Sequence, residues 1–432
     1  MNLKSQVRGG VRWTTISAIA LALSAILKVS ILTRFLEKSD FGLVAIVTFI
    51  LSFMELFNDM GISTAILHKQ NITQKEYSSL YWINLLISLL LYGIVWTITP
   101  LVVTFYNQDA LKSILPILGL NLIFAGIGRQ FRVIYQKQLN FKVIALIDIS
   151  AAILSIITAV YLAVQGYGIY SLVFSTLLQF FISNITFLLF GFKENRIIFF
   201  CNINLIKEYL KIGSYQVGGQ IANYFNRDID ILIIGKLMSP SILGGYSLAK
   251  QLVFRPFQLV NPIIIKVASP VLAKFQSDKN DLKNNYLKLL NVVSSINIII
   301  YALLIIFAPI IIDVFYGKGF ENIYMTTRIL CIYMILRSIG NPVGSLVVAT
   351  GRTDLDLKWN FFTLFLMPIF VYLGSQFGIN GVAAALSLSM VLLYYPSWKY
   401  MIYEMTNATF KEYFIASFKV DLKRILSLVK IN

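Results

Sequence analysis

The sequence predicts an all-α, polytopic membrane protein of about twelve transmembrane helices in two parallel six-helix lobes. Three observations predict it. Hydrophobic residues fill 57% of the 432 positions, charged residues only 13%, and the mean hydropathy is +0.75; an average soluble domain is about 25% charged. Runs of about 20 apolar residues, each long enough to cross a bilayer, recur along the whole chain. The arrangement of these runs also repeats, at an offset of about 202–212 residues.

The first span, 11–33, follows Lys4, Arg8 and Arg12. Its apolar run from Trp13 to Leu32 is signal-like, but it is long, lacks a small-x-small cleavage site and leads into further spans, so it reads as a retained helix. The first lobe (1–192) continues with spans at 41–67, 77–104, 113–135, 143–165 and 168–191. A cytoplasmic linker, 193–208, leads to the second lobe (209–404), with spans at 209–235, 241–267, 287–315, 323–349, 357–377 and 381–404. The connections are too short for a soluble domain. In the tail, 405–432, Phe410, Phe414, Phe418, Leu422 and Ile425 alternate with Lys411, Lys419, Lys423 and Arg424. This pattern predicts a basic amphipathic helix lying on the membrane surface.

The repeat is visible in three places. Arg34-Phe35-Leu36 up to Gly42 parallels Lys236-Leu237-Met238 up to Gly244; Pro100 with Phe105-Tyr106 parallels Pro309 with Phe315-Tyr316; Val160-Tyr161-Leu162 with Gly168-Ile169 parallels Val371-Tyr372-Leu373 with Gly378-Ile379. An even number of spans per repeat gives both halves the same orientation, an architecture of transporters in which the substrate pathway forms between the repeats.

A net charge of +17 on a soluble protein would suggest a nucleic acid partner. Here the basic residues sit mostly in short loops, and membrane topology accounts for them. The external loops hold only Arg34, Lys38, Lys112, Lys236 and Lys318. Most of the other basic residues fall on the opposite side, which places both termini in the cytoplasm and predicts a multi-pass protein of the bacterial cytoplasmic membrane. Cys201 and Cys331 are far apart and frame no disulfide or metal cluster, and His68, at a span end, reads as a surface residue. No Walker loop, metal-ligand cluster or nucleophile motif is present, so the sequence predicts neither ATP hydrolysis nor another enzymatic activity, and no cofactor.

The polar residues inside the spans carry the functional reading. An ionisable group there is costly and faces protein or a water-filled cavity. At 100° per residue, Thr48, Ser52, Glu55, Asp59 and Ser63 share an arc of about 80°, and so do Gln216, Gln220, Asn223, Arg227 and Asp230. Gln251, Arg255 and Gln258 share a face beside Pro256; Thr326, Tyr333, Arg337, Asn341 and Gly344 share another; Ser17, Ser24 and Lys28 a third. Such stripes also serve as helix–helix hydrogen bonds and internal ion pairs, and Arg227 and Asp230, three residues apart, could neutralise each other. Two basic residues do not fit: Lys250 is about 140° from Arg255, and Arg328 lies opposite Arg337, where it can snorkel outward; Asp228, about 80° off its stripe, is the weaker acidic candidate. Arg227, Arg255, Arg337 and Lys28 suit an anion, because guanidinium binds phosphate oxygens as a planar fork. Gln220, Asn223, Gln251, Gln258 and Asn341 complete the candidate substrate site, and Glu55, Asp59 and Asp230 are candidates for a coupling cation or proton. Gly-Asn-Pro at 340–342 marks a packing or bending point.

The segment Phe57-Asn58-Asp59-Met60-Gly61-Ile62-Ser63-Thr64-Ala65-Ile66-Leu67 resembles a signature of bacterial polysaccharide exporters. Asn223-Tyr224-Phe225, Asp230, Gly235-Lys236-Leu237 and Leu243-Gly244-Gly245-Tyr246-Ser247-Leu248-Ala249 resemble their seventh and eighth helices, and Asn261-Pro262 with Pro270 to Gln276 the segment that follows. The family is that of the Wzx-type flippases, in the superfamily of the multidrug and toxin extrusion transporters and the peptidoglycan lipid flippase. The resemblance implies alternating-access movement of a polyprenyl-diphosphate-linked oligosaccharide repeat unit. It also implies membrane lipids and a polysaccharide polymerase and chain-length complex as partners. A cation-coupled small-molecule exporter of the same fold is the nearest rival; it calls for an acidic or aromatic cavity. A membrane glycosyltransferase or polymerase would need a catalytic segment outside the membrane, where the external loops are of about ten residues or fewer.

Overall fold

The computed structural model describes residues 3–59, 61–69, 72–276 and 278–422. Among them the regular elements are helical: α1 Leu3–Leu32, α2 Lys38–Asp59, α3 Ile62–His68, α4 Gln74–Tyr106, α5 Leu111–Lys137, α6 Phe141–Val164, α7 Tyr170–Glu194, α8 Ile203–Leu237, α9 Pro240–Lys274, α10 Lys279–Tyr316, α11 Tyr324–Gly340, α12 Val343–Thr350, α13 Thr353–Ser375, α14 Gly378–Ser397, α15 Glu404–Thr406 and α16 Phe410–Phe418. A 3₁₀ turn (Glu321–Ile323) precedes α11, and a π-helical turn (Trp398–Tyr403) links α14 to α15. Among the described residues ten helical stretches are long and apolar enough to cross a membrane. The more polar α8 and α9, 35 residues each, have the length to do so. Each predicted span thus corresponds to one helix or one broken helix. Met60, and Lys423, Arg424 and Ile425 of the tail, lie outside the described residues, as do the side chains of Lys4, Arg8, Thr64, Ala65, His68, Gln216, Pro262 and Pro270.

Two predicted spans are broken. The second, 41–67, divides into α2 and α3 around Gly61, whose φ of 68° lies in the left-handed region that a side chain disfavours. The tenth, 323–349, stops at Gly340 and restarts at Val343, because Pro342 has no N–H to continue the ladder.

Packing divides the chain into two compact units, Met1–Tyr224 with Met238–Gly244, and Phe225–Leu237 with Gly245–Asn432. In the first, α5 packs on α4 and α7, and α6 on α1 and α7. Asn58, 1% exposed, joins three helices: its Nδ2 donates to the Leu122 carbonyl at 3.1 Å and its Oδ1 accepts from Ser88 at 2.6 Å. A capping box between Thr73 and Glu76 starts α4, a device that stabilises a helix by about 1 kcal/mol.

In the second unit, α11 packs on α10 and α14, and α13 on α14. Tyr301 and Tyr316 of α10 donate to the Val253 and Leu248 carbonyls of α9, both at 3.0 Å. The tail helix differs from its expected surface placement. Tyr413 of α16 is buried in a cluster with Tyr286, Leu346, Trp398 and Ile402, and Asn291 of α10 donates to the Ala416 and Lys419 carbonyls at 3.2 and 2.6 Å. Phe410, Phe414 and Phe418 all meet the Tyr394 ring, and Phe414 is at the same time half-exposed. The amphipathic reading took the phenylalanine row as the apolar face; the buried face also runs through Tyr413, Ala416 and Ser417.

Candidate functional site

In the first unit the stripe of α2 meets a partner that sequence reasoning missed. Arg129 of α5 donates to Glu55 at 2.7 Å and lies 4.0 Å from Asp59. Asp59 also accepts from the hydroxyl of Ser63. Glu55 and Asp59 therefore share a cation of the chain itself, 74 residues away in sequence for Glu55. A second pair, Arg132 with the buried Asp148, is bidentate at 2.7 and 3.3 Å and is joined by Ser183 at 3.1 Å. Lys28 of α1 is half-buried. Its ammonium donates to Ser155 Oγ of α6 at 3.0 Å and Thr176 Oγ1 of α7 at 3.2 Å. Among the described residues no carboxylate reaches it.

In the second unit the polar residues form one ion network and two separate arginines. Arg227 does not neutralise Asp230. Its Nε and Nη2 both lie 2.7 Å from Oδ2 of Asp228, the residue that sits off the α8 stripe. Asp228 Oδ1 accepts from Lys250 of α9 at 3.0 Å, and Lys250 donates to Asp230 at 2.7 Å and to the Arg227 carbonyl at 2.8 Å. Asp230, 1% exposed, is also held by the hydroxyl of Tyr246 and the backbone N–H of Ile231. Lys250 and Asp228, both off the stripes of the helical wheel, fit because they pair with each other across α8 and α9. A buried carboxylate needs such donors, since its desolvation is otherwise too costly. Asp230, a candidate for a coupling cation, is thus held by a lysine and a tyrosine of the chain.

Arg337 of α11 donates to Tyr333 at 2.6 Å, and its guanidinium stands 5.7 Å from the Tyr333 ring and 5.9 Å from that of Phe254, within cation–π range. Arg255 is half-buried and has no hydrogen bond or ion pair to another described residue. Gln251 and Gln258 on the same helix are exposed; Asn341 is half-buried at the break between α11 and α12 with its Nδ2 unpartnered among the described residues. Gln220 and Asn223, on the part of α8 that belongs to the first unit, are exposed too. Arg328 turns to α10, its Nε donating to the Ile305 carbonyl at 3.1 Å. The unit thus offers one uncompensated guanidinium, one held by aromatic rings and one paired with its chain neighbour, among exposed amides. Such a set suits an anion that carries polar groups.

Residues 31–325 match the model of the family described as "Polysaccharide biosynthesis protein". The chain is 27% identical over 421 residues to the lipopolysaccharide biosynthesis protein WzxC of Escherichia coli K12, covering 96% of this chain and 85% of that protein. It is 31% identical over 340 residues to the amylovoran biosynthesis protein AmsL of Erwinia amylovora, covering 77% of this chain and 86% of that one. Its fold resembles the lipid II flippase MurJ in an inward closed conformation, with a TM-score of 0.78 at 15% identity, over 98% of this chain and 93% of that one. With a family model matched over more than half its length and a relative above 30% identity, the chain belongs to the polysaccharide biosynthesis protein family.

Proposed function

We propose that this protein is a flippase, moving a polyprenyl-diphosphate-linked oligosaccharide repeat unit across the bacterial cytoplasmic membrane by alternating access, for surface polysaccharide biosynthesis. The observation that carries this reading is Arg255, a half-buried guanidinium on a polar stripe of α9 with no counter-ion among the described residues. A permanent charge at that depth is unfavourable unless solvent or an arriving anion satisfies it. A diphosphate does so through parallel N–H···O bonds, with Arg337 and Arg227 as further donors in the same unit. Gln251, Gln258 and Asn341 of that unit suit sugar hydroxyls, while the lipid tail stays among membrane lipids. The names of WzxC and AmsL, tied to lipopolysaccharide and amylovoran biosynthesis, and of MurJ, a lipid II flippase, support the same substrate class.

Transport here involves no covalent chemistry, and a polysaccharide polymerase with its chain-length partner is the activity that would consume the product. The rival reading, a cation-coupled small-molecule exporter, calls for open carboxylates. Glu55 and Asp59 face Arg129, and Asp230 faces Lys250, which weighs against it. The deciding experiment reconstitutes the full chain in vesicles with a fluorescent polyprenyl-diphosphate-linked sugar and follows its accessibility to a membrane-impermeant quencher. Protein-dependent exchange between leaflets is expected. Exchange no faster than in protein-free vesicles, with intact folded protein present, overturns the proposal.

A further inference from the structure

The network around Arg227 has an order that bears on release. Charges alternate along it: Arg227, Asp228, Lys250, Asp230. The side chain of Arg227 is 47% exposed and that of Asp228 20%, against 9% for Lys250 and 2% for Asp230. The chain of charges therefore runs from an open end to a closed one. Lifting Arg227 away leaves Asp228 still 3.0 Å from Lys250, so no carboxylate is stranded. Removing Lys250 instead would leave the buried Asp230 without a cation. Arg227 is the most exposed member of the network, and its own neighbour in sequence is its carboxylate partner there.

We propose that Asp228 is a resting counter-ion for Arg227, displaced by a phosphate group of the transported head group and reclaiming the guanidinium when that group leaves. This rests on the flippase reading above. Both anions compete for the same two N–H groups, Nε and Nη2, and a competitor one residue away is present at very high effective concentration. Asp228 thereby weakens phosphate binding and provides an exit for it. It does not touch the head group itself; it is a positioning residue that sets how long Arg227 stays engaged.

Asp228→Asn removes the competing charge while Lys250 keeps Asp230. The purified full-length protein, checked by thermal unfolding, is titrated with geranylgeranyl diphosphate and, in a separate arm, with inorganic diphosphate; exchange is then measured in vesicles. Asp228→Asn is expected to tighten geranylgeranyl diphosphate binding about tenfold, the scale of one charge-assisted contact, and to slow exchange. Arg227→Ala is expected to weaken binding, and Arg227→Ala with Asp228→Asn to show none of the gain. Should the asparagine variant fold poorly, Asp228→Ser serves, its hydroxyl still able to accept from Lys250. Wild-type binding with unchanged or weaker binding in folded Asp228 variants overturns the counter-ion role alone. So does a gain that persists without Arg227, which would reflect general electrostatics. No saturable binding of either diphosphate by the wild type overturns both this proposal and the flippase reading. Inorganic diphosphate reproducing the full effect identifies the phosphate group rather than the lipid as what Arg227 recognises.

Discussion

Gly42 and Gly244, equivalent positions of the two sequence repeats, lie against each other. A Cβ on Gly42 would overlap the Pro240 carbonyl, a Cβ on Gly244 would overlap that of Lys38, and each would stand 3.0 Å from the other's amide nitrogen. The first turns of α2 and α9 meet backbone to backbone, so no side chain can give way. Gly42→Val and Gly244→Val are expected to destabilise the protein by at least the about 1–3 kcal/mol of an overpacked core. Gly93→Ala, with open space around the site, should change stability by no more than about 1 kcal/mol. Thermal unfolding in detergent and yields of monodisperse protein test the contrast; equal behaviour of the three variants would mean that the crossing is loose.

The Lys250 network predicts strong non-additivity. Lys250→Met alone leaves Asp230, almost fully buried, with a buried charge answered only by Tyr246 and one backbone N–H. Loss of one partner of a buried pair costs about 3–5 kcal/mol. Adding Asp230→Asn removes the stranded charge and should restore part of that stability, while Arg227 remains with Asp228. A double variant no more stable than Lys250→Met would show that the pair is not what holds α8 to α9 there.

These two features differ in how legible they were. The glycine pair stands in the repeat Arg34 to Gly42 and Lys236 to Gly244, and the other repeat matches also recur as structure. Pro100 and Pro309 lie in α4 and α10, which end at the buried Tyr106 and Tyr316 with left-handed Asn107 and Gly317 beyond; Gly168 and Gly378, both at positive φ, precede or open α7 and α14. Span positions followed from hydropathy, because lipid demands a continuous apolar run. The ion pairs did not follow. A helical wheel treats each helix alone, so Lys250 looked misplaced relative to Arg255 although it faces α8. Arg129, counted with the basic residues of the inner ends, gave no local sign of reaching Glu55. The breaks at Gly61 and Asn341-Pro342 carried residue signals, but the apolar pattern runs through both.

Topology provides a third prediction. In a background with Cys201→Ser and Cys331→Ala, cysteines at Asn195 and Lys279 are expected to resist an impermeant maleimide on intact cells. Cysteines at Lys112 and Lys318, both exposed, are expected to react. The reason is the basic excess on the side of the 193–211 and 266–288 segments. The opposite labelling pattern would invert the protein in the membrane.

Docking of the tail helix should depend on acid. Glu412 accepts the backbone N–H of Thr409 at 2.8 Å, its hydroxyl at 3.0 Å and the Lys283 ammonium at 3.2 Å. These contacts, the backbone one foremost, hold its carboxyl below the usual glutamate value, which is about 4.3. A depressed folded value means that the stabilisation is fully present above the unfolded value and is lost as pH falls through the folded one. Because the site is partly exposed, it contributes under about 1 kcal/mol. Hydrogen exchange in α16, corrected for intrinsic rates, should rise below about pH 4 in the wild type. In Glu412→Ala that step should be absent, with exchange already raised above it, where the wild-type carboxylate is ionised. An identical pH step in the variant would assign the effect to another group.

The sharpest test of the anion site separates three arginines of one unit. Among the described residues Arg255 has no hydrogen bond or ion pair, Arg337 is held by Tyr333 and Phe254, and Arg328 donates to the Ile305 carbonyl. If the first two bind diphosphate, Arg255→Ala and Arg337→Ala should each reduce export at least about tenfold, the loss of about 1.4 kcal/mol or more from a charge-assisted contact. Lysine should not rescue either position, because an ammonium cannot reproduce the planar fork. Arg337→Lys also gives up part of the aromatic contact, so Arg255→Lys is the cleaner comparison. Arg328→Ala gives up a single backbone contact on α10 and should export normally. Complementation of surface polysaccharide in a flippase-null strain reads all of these, with membrane levels of each variant measured by immunoblot. Normal export by both Arg255→Ala and Arg337→Ala at wild-type levels would reduce the stripes of α9 and α11 to helix packing. Loss confined to Arg328→Ala would move the anion site to the face of α11 that meets α10.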